Sequence, residues 1–150
     1  SMKIGENCNL TVQDRDSMIY LDRVETQWPL RIQLPVGSQV PLHCTASGKM
    51  YLSSLPDAHL KTLIENIHFD RCTPNTIRDK NVLIDEIKQT RERQFAEDRE
   101  EFIDGMIAIA VPIIEDQGRL LSTLSFHAPK QRLGLDNIEA LFLLKIYRHQ

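Results

Sequence analysis

The sequence predicts an α+β fold, one domain, in which an antiparallel sheet carries helices segregated beside it. Three observations lead there. β-forming residues cluster in the first third of the chain and again after residue 95. Between the clusters, apolar residues recur at helical spacing. The second cluster contains Met106–Ile114, an almost wholly apolar run followed by the turn residues Asp116-Gln117-Gly118. The resulting order is β-β-β-α-α-α-β-β-β-α.

Each element has its own local reason. Cys8 to Asp14 and Ser17 to Glu25 form two strands around a short polar turn, Arg15-Asp16, which implies an antiparallel pair. Trp28-Pro29 interrupts the pattern, and Leu30 to Leu34 resumes it as a third strand. A helix starts near Ala46. Ser54-Leu55-Pro56-Asp57 signals a second start, with Ser54 as cap, and Leu60, Leu63, Ile64 and Ile67 give its buried face. Phe69 to Asn75 is a loop. Thr76-Ile77-Arg78-Asp79 opens a third helix with Leu83, Ile84 and Ile87 inward, and the charges of Lys88 to Arg93 read as its solvated surface. Phe95 to Asp98 returns to strand. Met106–Ile114 and Leu120 to His127 pair as a hairpin, and Pro129 ends it. Asp136-Asn137-Ile138-Glu139 is a capping box for a closing helix that buries Ile138, Leu141, Phe142 and Ile146.

Composition narrows the function classes. A chain of 150 residues with 41% hydrophobic and 26% charged residues can bury a proper core. A net charge of -3 argues against nucleic-acid binding by these residues themselves, which needs clustered Lys and Arg. No apolar run approaches membrane length, so no membrane partner is expected. Three cysteines, Cys8, Cys44 and Cys72, make neither an even framework nor a CxxC pair, which suits a reducing cytoplasm.

The chemistry concentrates in Val36 to Leu55. Pro35 and Pro41 hold the segment extended, and Gly37 allows a turn. Thr45 is a good N-cap. Behind it the amides of Ala46, Ser47 and Gly48 would point free from a first helical turn, an anion seat among small side chains. An ordinary capped helix with small residues for packing explains the same pattern. Strand alternation makes a second feature. Ala108 and Ala110 share one face of their strand, and Leu121, Thr123, Ser125 and His127 share one face of the next, opposite Leu120, Leu124 and Phe126. Either these polar groups line a pocket or they face water.

The run PLHCTASGKMYL, preceded by VGSQV, resembles the signature of the effector-binding domain of IclR-family bacterial transcriptional regulators. YLDRVE (Tyr20 to Glu25), AEDREEFIDGMIAIAVPI (Ala96 to Ile113), LLSTLSFHAP and the closing amphipathic helix agree in the same order, covering nearly the whole chain. The resemblance implies a GAF-like curved antiparallel sheet flanked by helices. It implies an effector between the loop-helix segment and the hairpin, with Val40, Ala46, Ser47 and Gly48 on one side and Asp98, Ala108, Ser125 and His127 on the other. Many members have serine or another small residue in place of His127, and alanine in place of Cys44. A histidine there either pairs with a carboxylate or makes the cup smaller. The family's preceding winged helix-turn-helix is not in these residues, so the chain looks like the sensor half of a longer regulator.

Rival chemistries have less behind them. His43 beside Cys44 suggests a thiol nucleophile, but sequence neighbours rarely face each other, and a backbone-bonded structural histidine fits better. Gly48-Lys49 lacks the glycine spacing and the following hydroxyl of a phosphate loop. His59, His68 and Cys72 match no strong zinc spacing. The expectation is therefore a sensor without catalytic residues, metal or cofactor, binding a small organic acid. It would form a homodimer, possibly a tetramer, and reach operator DNA only through the missing domain. A small α+β enzyme acting on an organic acid at the same cup is the alternative.

Overall fold

In the computed structural model of the protein, the described residues are 7–14, 17–24 and 37–130. They form β1 (Asn7–Asp14), β2 (Ser17–Val24), β3 (Gln39–Pro41), α1 (Ala46–Ser53), α2 (Asp57–Asn66), α3 (Lys80–Arg93), β4 (Ala96–Arg99), β5 (Met106–Ile114) and β6 (Leu120–Pro129). The six strands make one antiparallel sheet in the order β3-β2-β1-β6-β5-β4. The sheet curls into a half-barrel, as the expected α+β class with a curved sheet requires. The strand expected over Leu30 to Leu34 and the closing helix from Asp136 lie outside the described residues.

The registers show which side chains share a face. Asp98 lies opposite Ala108, which lies opposite His127. One step along, Ala96 lies opposite Ala110 and Ala110 opposite Ser125; a further step brings Pro112, Thr123 and Thr11 into line. Cross-strand partners point to the same side, so these rows belong to one face. Helix α1 lies over it, touching β1, β2, β4, β5 and β6. Ala46 and Met50 of α1 pack on Ala96, Ala108 and Ala110. Small floor residues let the helix come close, which is why a short helix can sit inside the curl. Ile107, Ile109 and Val111 take the other face of β5 and are also buried, as expected of a strand covered on both sides.

A larger core lies at the β3 side, where Val40, Leu42, Met18 and Leu52 meet Leu60, Ile64, Leu83 and Ile87 of α2 and α3. Four local expectations are corrected. Ser54 is the C-cap of α1 rather than the N-cap of α2; α2 begins after Pro56 with no side-chain cap. The N-cap of α3 is Asp79, which accepts from Asn81 and Val82, while Thr76 ties the preceding loop. Strict alternation is interrupted at Leu121: the β5–β6 register shifts beside Ile114, and Leu121 is the extra residue, 51% exposed. The charges at the end of α3 are not all a solvated face either. Arg91 donates to the carbonyls of Ser53 (3.1 Å) and Leu55 (2.7 Å) and pairs with Asp57 (2.6 Å), fastening the α1–α2 junction.

Candidate functional site

The start of α1 is built from its N-cap outward. Thr45 donates its hydroxyl to the Pro41 carbonyl (2.6 Å) and accepts from the Gly48 amide (3.1 Å), so one side chain joins the edge strand to the helix. The expected free amide at Gly48 is therefore corrected, because the cap takes it. Gly48 is needed for another reason: a Cβ there would lie 2.5 Å from the Cα and carbonyl oxygen of Leu42. Only glycine lets the Leu42 backbone pass so close. Among the described residues, the amides of Ala46 and Ser47 have no hydrogen-bond acceptor in place. These two N–H groups are at the positive end of the helix.

The eight residues expected to line the site are all buried, but they do not all meet. Ala46 packs on Ala108. Asp98, Ala108 and His127 form one row of the floor, and Ser125 belongs to the next, beside Ala110. Ser47 is on the first turn of α1 and is 3% exposed. Val40 belongs to the larger core, and it edges a separate cavity of about 280 Å³ with Pro41, His43 and His68. A larger cavity, about 470 Å³, opens at the other end of α1, where Met50, Tyr51, Thr11, Thr123 and Arg91 contribute to its lining. None of the eight expected residues lines that larger space.

Burial shapes the electrostatics. Asp98 is raised from 3.8 to about 7, chiefly because its carboxylate is cut off from water; the neighbouring Glu101 adds to this, and hydrogen bonds from the Glu101 and Phe102 amides oppose it together with Lys49. Its Oδ1 accepts from the Glu101 amide at 2.7 Å. His127 is lowered from 6.5 to about 4 by burial, so at neutral pH it is an uncharged imidazole. The floor thus carries a carboxyl group near its midpoint and a neutral ring, one residue apart across Ala108.

Sequence reasoning missed the largest polar feature nearby. Lys49, set aside as a failed phosphate-loop lysine, is 1% exposed. Its ammonium donates to both Glu101 oxygens (2.7 and 2.8 Å) and to the Glu97 carbonyl (2.9 Å), with Glu86 at 3.8 Å. Glu101 in turn accepts from the Arg99 amide. The signal was present in the sequence: a lone lysine between Gly48 and Met50, followed much later by the cluster Glu97, Asp98, Glu100, Glu101. Only folding brings them together. His43 is structural as expected, its Nε2 bonded to the Asp70 carbonyl at 2.9 Å and its ring edge-on to Phe69.

Comparison with known proteins agrees with this architecture. Residues 1–146 match the family described as bacterial transcriptional regulator IclR C-terminal. The probable transcriptional regulator SauR of Cupriavidus necator is 43% identical over 136 residues, 91% of this chain and 54% of SauR. The IclR structure of Thermotoga maritima superposes with a TM-score of 0.84 at 31% identity, covering 91% of this chain and 55% of that one. The inducer-binding domain of the Acinetobacter transcription factor PobR, a double mutant in complex with 3-hydroxybenzoic acid, gives 0.84 at 25% identity and covers 93% and 82%. The chain spans about half the length of the curated relatives it matches. Curled sheet, enclosed helix and family match agree, and the chain belongs to the C-terminal domain family of IclR-type bacterial transcriptional regulators.

Proposed function

We propose that this chain is the ligand-sensing and oligomerising part of a cytoplasmic transcriptional regulator, that its effector is a small organic acid, and that it catalyses no reaction. The observation that carries the reading is the pair of unused amides at Ala46 and Ser47, buried above a floor that holds Asp98, Ala108, Ser125 and His127. Such N–H groups at a helix start favour an anion. An aromatic hydroxy acid in the inducer-binding domain of PobR supports the ligand class.

The floor suits a carboxylate for a specific reason. Asp98, with its pKa near 7, is protonated in a large share of molecules at neutral pH and then donates a hydrogen bond instead of repelling the ligand. His127 meets it as a neutral N–H donor rather than a charged one. In the present arrangement Ala46 rests directly on the alanine floor. A ligand seated there must part the two, so it binds a different arrangement from the one seen here. Differential affinity for two arrangements is what shifts a population and changes the spacing of attached DNA-binding domains. Coupling of about 1–3 kcal/mol is typical of such devices. In the full regulator, operator DNA would be contacted by a winged helix outside this chain, with the sensor paired as a homodimer or tetramer.

Titration calorimetry on a panel of small organic acids and their neutral amides tests the reading. The acid should bind and the amide should not. Ser47→Ala keeps the amide and should bind within a few-fold of the parent. Ala46→Leu places bulk between α1 and Ala108 where the ligand would have to enter, and should lose binding while the far-ultraviolet spectrum stays the same. His127→Ala should cost about 0.5–1.5 kcal/mol, the scale of one neutral hydrogen bond. Unchanged affinity in Ala46→Leu would put the effector elsewhere.

A further inference from the structure

Cys44 and Cys72 are far apart in sequence, yet their Sγ atoms are 4.0 Å apart. Both are free thiols, Cys44 buried and Cys72 exposed. Neither can easily drift. Cys44 directly precedes the N-cap of α1, between His43, bonded to Asp70, and Thr45, bonded to Pro41. Cys72 lies in the α2–α3 loop, which is fastened to the β4–β5 connection by Thr73 to the Glu100 carbonyl (2.6 Å) and Thr76 to the Glu101 carbonyl (2.7 Å). The Cys72 amide itself donates to Thr76 at 3.0 Å. Two anchored thiols held in contact need only a closure of about 2 Å to reach disulfide bonding distance.

We propose that Cys44 and Cys72 form a thiol–disulfide modification site that responds to hydrogen peroxide and locks the α2–α3 loop onto the start of α1. The exposure difference sets the order of events. The Cys72 thiolate attacks the peroxide O–O bond and becomes a sulfenic acid; the displaced hydroxide takes a proton and leaves as water. The Cys44 sulfur then attacks the Cys72 sulfur, the S–O bond breaks, and the hydroxide leaves with the Cys44 proton as a second water. Two thiols are oxidised, one peroxide is reduced, and a thiol reductant reverses the reaction. Burial, with the nearby Cys72, Asp98 and Glu101, holds the Cys44 thiol in its protonated form. That makes Cys44 a poor first reactant with peroxide and leaves the second, intramolecular step to proximity.

This site stands independently of the effector reading. The intact chain is treated with hydrogen peroxide under native conditions, remaining thiols are alkylated in denaturant, and peptides are mapped by mass spectrometry. The expected product has lost two hydrogens and carries a Cys44–Cys72 linked peptide that dithiothreitol removes. Its midpoint of thermal unfolding should rise by about 5 °C, since the cross-link closes a loop of nearly thirty residues. Cys72→Ser, at an exposed position, should fold as the parent does and give no linked peptide, whereas Cys8→Ser should leave the linkage intact. A linkage through Cys8, a bond between chains, or Cys72 carried to sulfinic acid with Cys44 still alkylatable would each overturn the proposal.

Discussion

At the scale of single residues, Asp98 and His127 show how one surface pushes two titratable groups in opposite directions. Folded Asp98 holds its proton up to about 7 against 3.8 in the open chain. It therefore binds more protons folded than unfolded in that window, and stability falls as pH rises from about 4 to about 7. His127 refuses its proton down to about 4 against 6.5. The unfolded chain then binds more protons, so stability rises with pH from about 4 to 6.5 and levels off. The two slopes oppose each other in the parent. Asp98→Asn should remove the falling component: its stability relative to the parent should climb across pH 4–7, by an amount on the order of 2–4 kcal/mol. Urea unfolding at several pH values checks the slope, whatever constant offset the lost carboxylate contacts introduce. A pH-independent difference would mean that Asp98 titrates normally.

At the scale of elements, α1 is held from three directions. Thr45 ties its start to β3, Arg91 ties its end to α3, and Lys49 ties its middle to the β4–β5 connection. The Lys49–Glu101 pair is the costly member, because both charges are out of water. Its value depends on completeness. Lys49→Met should leave Glu101 buried and unpaired and lower stability by about 3–5 kcal/mol. Adding Glu101→Leu should recover a large part of that loss, as replacing both partners by apolar groups often does. Chemical denaturation of the two singles and the double measures the coupling. If the losses simply add, the pair is not the unit described here. Because Asp98 holds the Glu101 amide, this network also stands directly behind the candidate ligand floor.

At the scale of the molecule, the proposed regulatory role makes a claim about assembly. Two-fold DNA sites call for paired subunits, and this domain is the part proposed to supply the pairing. Light scattering after sizing should give a dimer or tetramer at tens of micromolar, and residues 1–150 should show no sequence-selective operator binding. A clean monomer, or saturable selective binding by this chain, would contradict the assigned role.

What the sequence determined by itself was local and periodic. The Thr45 cap, the apolar run of β5 and the turn at Gly118 each follow from neighbours a few residues apart. Alternation assigned Ala108, Ala110, Ser125 and His127 to their faces, and the pairing of Ala108 with His127 bears this out. It could not foresee the interruption at Leu121, where a register shift depends on the partner strand. The family motifs carried the choice of Asp98, while Ala46 followed already from the free amides behind the Thr45 cap. Tertiary structure decided the rest: that Lys49 finds Glu101 across the fold, that Cys44 finds Cys72, and that Gly48 exists for the passage of Leu42. Those contacts join residues tens of positions apart or depend on backbone passing within ångströms. No pattern along the chain encodes such distances, because burial and charge pairing are settled only when the sheet curls around α1.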